Sequence, residues 1–177
     1  MKTQILTLRR SLMPANSSHT ITALVQDRPG VLNRVTSMIR RRNFNISSLS
    51  VGHSEIEGLS AMTFVVQGDE FVLEQIVKQL GKLINVVKVR HIDKAECVSR
   101  EFALIRVQTT VDTRQEIIQI ATIFRADVID VASNSMIVEI TGDSGKLDSL
   151  VQLLHPFGIV EVIRSGALAM KRGALEP

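Results

Sequence analysis

HTITALVQDRPGVLNRVTSMIRRRNFNISSLSVGH, residues 19–53, decides how the whole chain is read. Ile21 to Gln26 alternates and is rich in β-formers, so it predicts a strand. Asp27-Arg28-Pro29-Gly30 supplies turn residues that end it. From Val31 the apolar positions Val31, Leu32, Val35, Met38 and Ile39 recur at helical spacing, with Asn33, Arg34, Ser37, Arg40 and Arg41 opposite. That pattern predicts a helix with one buried face. Asn43 is placed as a left-handed stop, and Asn45 to His53 then reads as a second strand, with Ile46, Leu49 and Val51 among serines.

Working outward, Glu55-Ile56-Glu57-Gly58 is a hairpin connection and Ala61 to Gln67 a third strand. Asp69 or Glu70 caps a second helix whose inner face is Val72 or Leu73, Ile76, Val77, Leu80 and Leu83, with Glu74 and Lys78 paired outside. Val86 to His91 closes the unit as a strand. The order βαββαβ folds, with right-handed crossovers, into an antiparallel sheet with both helices on one face.

The same order then returns. Ile92 to Arg100 is polar, and after it come a strand at Phe102–Thr109, a helix at Thr113–Phe124, a hairpin of Val128–Ala132 and Ser135–Thr141, a helix at Ser144–Leu154 and a strand at Ile159–Ile163. The expected class is therefore α+β, with two ferredoxin-like βαββαβ domains: an N-terminal arm at 1–18, a first domain at 19–92, a linker at 93–100 and a second domain at 101–177. The second half has Thr110-Val111-Asp112-Thr113 where the first has Asp27-Arg28-Pro29-Gly30, so only the first half is expected to bring backbone amides close to a ligand.

The corner has its own chemistry. A helix N-terminus carries unpaired N–H groups and a partial positive charge, so the amides of Gly30, Val31 and Leu32 suit a small anion. A phosphate would normally bring a further Lys or several glycines, so a carboxylate fits better. Asp27 and Asn45, expected at the same end of the sheet, offer oxygens to an ammonium, and Val31, Leu32 and Ile46 offer an apolar wall. Taken alone, the corner leaves a plainer reading equally open, in which Asp27 caps the helix and Asn45 satisfies a turn. The second strand is expected at the sheet edge, and it has no Lys, Pro or inward charge to blunt it. Such an edge invites pairing with its twin across a two-fold axis.

Composition narrows the rest. The 177 residues are 45% hydrophobic and 22% charged, enough to bury a core, and no apolar run approaches the roughly 20 residues that span a bilayer. The net charge of +3 is mildly basic, and its one dense cluster, Arg40-Arg41-Arg42, falls where cations offset a helix C-terminus. A single cysteine, Cys97, and no apolar leader point to a reducing, cytoplasmic setting; the acid-free stretch before Ser18 faintly resembles a transit peptide but reads better as an arm. With no Trp and no Tyr, and only Phe64 and Phe102 on central strands, a base-stacking RNA platform is disfavoured, and neither nucleic acid nor membrane is expected as a partner.

Gly142-Asp143-Ser144-Gly145-Lys146-Leu147 superficially suggests a phosphate loop, but its glycines are too close and Leu147 stands where Ser or Thr is needed. His53, Glu55 and Glu57 lack a further ligand for a metal, and His19, His91 and His155 have no nucleophile beside them. No catalytic constellation and no metal or cofactor site is expected.

The first half resembles the ACT domain, a small regulatory module that binds amino acids. The whole chain resembles the small regulatory subunits of acetolactate synthase, also called acetohydroxyacid synthase. The likeness rests on Asp27 to Leu32, Asn43 to Gly52, Leu73 to Leu80, Ile123 to Val131 and Ile163 to Gly173, and covers about nine-tenths of the chain. It implies an ACT domain followed by an ACT-like one, a homodimer through the ACT domain, and a separate large catalytic subunit holding thiamine diphosphate, Mg and FAD. It also implies feedback inhibition by valine or another branched-chain amino acid, with the effector at Asp27, Gly30, Val31, Leu32, Asn45 and Ile46. Asp27 stands where relatives more often have Asn, and Ser165 where Thr is more usual. A stand-alone amino-acid sensor is the alternative reading.

Overall fold

The computed structural model describes residues 17–173, so most of the expected arm, 1–16, lies outside the described residues. The described chain divides into two compact units, residues 17–98 with 169–173, and residues 99–168.

In the first unit β1 (Ser17–Gln26), β2 (Asn45–His53), β3 (Leu59–Gly68) and β4 (Val86–Ile92) form an antiparallel sheet in the order β2-β3-β1-β4. Helices α1 (Val31–Arg41) and α2 (Glu70–Leu80) connect its strands. Alternation decides which strand face is buried: Ile21, Ala23 and Val25 of β1 and Met62, Phe64 and Val66 of β3 pack with Val35, Met38, Ile39, Ile76 and Leu80 of the helices. Phe64 is fully buried there, which removes it as a stacking surface. Strand β1 starts earlier than its alternation indicates, because Ser17 Oγ donates to the Gly68 carbonyl at 2.7 Å and Ser17–Ser18 pair with Gln67–Gly68.

Local chemistry sets the ends of the elements. Asn43 takes the left-handed conformation (φ 55°) and stops α1, as its side chain favours. Asp69, not Glu70, caps α2 by accepting from Val72 N–H at 2.9 Å. Glu74 and Lys78 pair at 2.6 Å on the outer face. Leu32 departs from its expected burial. The inner stripe of α1 runs through Val31, Val35, Met38 and Ile39, and Leu32, one residue round the helix, is 44% exposed.

In the second unit β5 (Cys97–Gln108), β6 (Asp127–Val131), β7 (Ser135–Gly142) and β8 (Ile159–Arg164) form a sheet in the order β6-β7-β5-β8, connected by α3 (Arg114–Ile123) and α4 (Ser144–Leu154). Ala103, Ile105, Val107, Met136, Val138 and Ile140 face Ile117, Ala121, Leu147, Leu150 and Leu154. The expected linker is instead a short 3-10 turn at Lys94–Glu96 leading straight into β5. A strand with no periodicity signal, β9 (Leu168–Lys171), pairs with β5, and Arg172 N–H donates to the Glu96 carbonyl at 2.6 Å. By compactness, residues 169–173 group with the first unit, while β9 pairs with β5 of the second sheet. Among the described residues no helix is long and apolar enough to cross a membrane.

Candidate functional site

The corner between β1 and α1 is built by backbone geometry. Gly30 is the N-cap of α1 with φ 83°, a left-handed conformation that costs an L side chain strain, while the space around its Cα is open. No side chain caps this helix, which removes the reading of Asp27 as a helix cap. The first α-helical bond is Arg34 N–H to the Gly30 carbonyl at 3.0 Å, and Val31 N–H turns back to Arg28 O at 3.3 Å. Among the described residues the amides of Gly30, Leu32 and Asn33 donate to no protein acceptor. The amides left open at the helix start are therefore Gly30, Leu32 and Asn33, whereas the expected set was Gly30, Val31 and Leu32 and the Val31 N–H is engaged by Arg28 O.

Val31 also fails as an apolar wall: at 4% exposure its side chain belongs to the core beneath the helix. Leu32 remains at the surface.

Asp27 is held by its backbone, with its N–H donating to the Gly58 carbonyl at 2.8 Å, and its Oδ2 stands 3.2 Å from His53 Nδ1. Asn85 ties the corner to two other elements. Its Nδ2 donates to Gln26 Oε1 at 2.8 Å, and its Oδ1 accepts from Arg34 Nη1 at 3.2 Å. Nothing in the spacing of Gln26, Arg34, His53, Gly58 and Asn85 marks them as neighbours, because each contact joins different elements of the sheet.

The largest correction concerns Asn45 and Ile46. Strand register pairs Asn45 with Gln67, and Gln67 with Ser18, so Asn45 is level with the start of β1. Asp27 follows the last residue of β1, Gln26, which pairs with Leu59. Within one chain the expected site is thus divided: Asp27, Gly30 and Leu32 stand at one end of the sheet, and Asn45 and Ile46 at the other, roughly 30 Å away by strand rise. The expectation that Asp27 and Asn45 share one end was wrong because β2, paired to the far side of β3, runs in the same direction as β1.

The expected edge position of β2 is observed. It differs from the other edges: β4 carries Lys88 and Arg90, β6 carries Asp127 and Asp130, β8 carries Glu161 and Arg164, and β9 carries Lys171, whereas β2 has no Lys, Arg, Asp or Glu.

The phosphate-loop likeness resolves into a capped turn. Asp143 Oδ1 accepts from Lys146 N–H at 2.8 Å, and Lys146 Nζ reaches back to the Thr141 carbonyl at 2.9 Å. Among the described residues no group of three His, Cys, Asp or Glu is arranged to hold a metal.

Comparison with known proteins fits this architecture. Residues 21–88 match the family model of the AHAS small subunit-like ACT domain, and residues 100–173 match that of the small subunit of acetolactate synthase. The chain is 49% identical over 156 residues to the acetolactate synthase small subunit of Mycobacterium bovis, covering 88% of this chain and 93% of that one. It is 48% identical over 158 residues to the probable acetolactate synthase small subunit of Methanothermobacter thermautotrophicus, covering 89% of this chain and 94% of that one. The crystal structure of the small subunit from Thermotoga maritima superposes with a TM-score of 0.85 at 42% identity, covering 90% of this chain and 99% of that one. Two successive domain matches, together with near-full-length identity well above the level at which fold alone is shared, mean that this chain belongs to the family of acetolactate synthase small subunits, ACT-domain regulatory proteins.

Proposed function

We propose that two copies of this chain pair antiparallel through β2 and hold valine, or another branched-chain amino acid, in two composite sites at the junction. Each site takes its corner from one copy and the start of β2 from the other. The carrying observation is the separation of Asp27 and Gly30 from Asn45 and Ile46 along the sheet. An antiparallel pairing centred near Leu49 sets the Asn45 end of one copy alongside the His53 end of the other, beside Asp27. It thereby brings the divided set together twice per dimer. The absence of charge on β2 alone among the sheet edges supports the same pairing.

In such a site the effector carboxylate lies against the amides of Gly30, Leu32 and Asn33, with the α1 dipole favouring negative charge. The ammonium faces Asp27 and Asn45, and the aliphatic group lies between Leu32 and Ile46. Regulation then follows from linkage. The chain activates a separate thiamine-diphosphate-dependent catalytic subunit, to which Mg and FAD also belong. Effector binding at the junction shifts how the two copies sit, and coupling of about 1–3 kcal/mol suffices for feedback inhibition. A site wholly inside one rigid domain would have little such leverage.

Calorimetric titration of the purified chain with valine, leucine and isoleucine tests this reading. It predicts saturable binding of at least one of them at one site per chain and inhibition of the reconstituted holoenzyme over the same concentration range. No binding of any of the three overturns it.

A further inference from the structure

In the second domain a cleft of about 630 Å³ opens where β5 ends, between the β6–β7 hairpin and the turn before β8. Its frame is rigidly tied. Thr109 N–H donates to the Asn134 carbonyl at 3.0 Å, and Gln108 N–H to the Gly158 carbonyl at 2.8 Å. The hydroxyls of Thr110 and Thr113 are consumed in locking the turn: Thr110 N–H donates to Thr113 Oγ1 at 2.9 Å, and Thr113 N–H to Thr110 Oγ1 at 3.3 Å.

The Thr109 hydroxyl donates to the Thr110 carbonyl at 3.1 Å, and Arg106, Gln108 and Asn134 remain as open polar lining. Arg106 is half-buried in the cleft wall, and among the described residues its guanidinium has no hydrogen-bond or ion-pair partner. Glu161 pairs with Arg106 in strand register, yet it does not line the cleft and lies beyond ion-pair distance. The side-chain amides of Gln108 and Asn134 also have no protein partner among the described residues. With Glu161 its cross-strand neighbour but not in ion-pair contact, the half-buried guanidinium is open to an anionic ligand, and an arginine fork suits a carboxylate. Phe157 and Val160 supply apolar lining, and the volume lies in the range of small-molecule sites, about 300–1,000 Å³.

The lining contains no Asp or Glu. An amino acid bound here would bury its ammonium without a carboxylate to receive it, in contrast to the first corner, where Asp27 is present. We infer that this cleft binds a small aliphatic 2-oxo acid. Arg106 grips the carboxylate, the Gln108 and Asn134 amides donate to the keto oxygen, and the aliphatic group lies against Phe157 and Val160.

The test is calorimetric titration of the full chain with 3-methyl-2-oxobutanoate, with valine and inorganic phosphate as comparators. The oxo acid is expected to bind saturably, to lose about tenfold or more in affinity in Arg106→Met, and to bind Gly30→Asp protein as it binds the wild type. Asn134→Asp, at an exposed hairpin tip, sets a repelling carboxylate at the cleft and should weaken the oxo acid similarly; it decides the matter if Arg106→Met does not fold. No oxo-acid binding at about 10 mM, or equal binding to wild type and Asn134→Asp, overturns the inference. So does phosphate or valine that binds more tightly than the oxo acid and is lost in Asn134→Asp. Loss of branched-chain amino-acid binding in Gly30→Asp with oxo-acid binding intact separates this cleft from the site proposed in the first domain.

Discussion

His53 Nδ1, at the end of β2, stands 3.2 Å from Asp27 Oδ2, at the end of β1. Both side chains are substantially exposed, so the contact adds little to stability. Its interest is positional, because it occupies an oxygen that the proposed site would offer to the effector ammonium.

His53→Ala should therefore release Asp27 and tighten the amino-acid effector by about two- to fivefold, the range open to an exposed pair, with thermal stability unchanged. Calorimetry on the variant checks this. Weakening of tenfold or more would instead make His53 an effector ligand in its own right.

Gly30 separates strain from charge. Gly30→Ala places a Cβ at φ 83° in open space and should cost about 1 kcal/mol of folding stability while leaving effector binding within a few-fold. Gly30→Asp, whose side chain tolerates the left-handed region, should fold equally well and lose the effector by about 100-fold, since its carboxylate competes for the α1 amides. Denaturant melts and titrations of the pair give both readings, and full feedback inhibition through Gly30→Asp would contradict the site assignment.

The βαββαβ order in each half, a cap at Asp69 or Glu70 and the left-handed stop at Asn43 were legible in the sequence, because each depends on neighbours within a few residues. Arg125 takes the matching left-handed position after α3 (φ 51°) without any such signal, since arginine has no local preference for it. Strand β9 was missed because its stability comes from pairing with a segment far away in sequence. The corner was legible as a corner, through Pro29 and Gly30. The distance between Asp27 and Asn45 was misjudged although the order of elements contains it: a strand–helix–strand crossover makes β1 and β2 run the same way, so the end of one and the start of the other lie at opposite ends, as the register of β2 on β3 shows.

Charging the bare edge tests the pairing. Val51, 47% exposed on β2, is a site where Val51→Lys should leave each domain folded, as edge lysines do in β4, and convert the dimer to monomers that no longer bind the effector. Light scattering and titration read the two effects. A dimer that persists with full binding would move the interface away from β2.

His91 predicts a pH effect on folding. Partial desolvation lowers its pKa below 6.5, the neighbouring His19 adds to the shift, and Asp93 and Glu70 oppose it. A depressed histidine pKa means that the unfolded chain takes up the proton first, so the contribution is complete above pH 6.5 and declines as pH falls through the folded value. Stability measured between about pH 7.5 and 5 should fall less steeply in His91→Gln than in wild type, and an identical slope would remove His91 as a contributor.

The composite nature of the effector site is tested most directly with a mixed dimer of one Gly30→Asp chain and one Asn45→Ala chain. If each site joins a corner from one copy to a β2 start from the other, this heterodimer keeps one wholly wild-type site and should bind one effector per dimer with wild-type affinity, although neither parent homodimer binds. A mixed dimer as inactive as its parents would contradict the account.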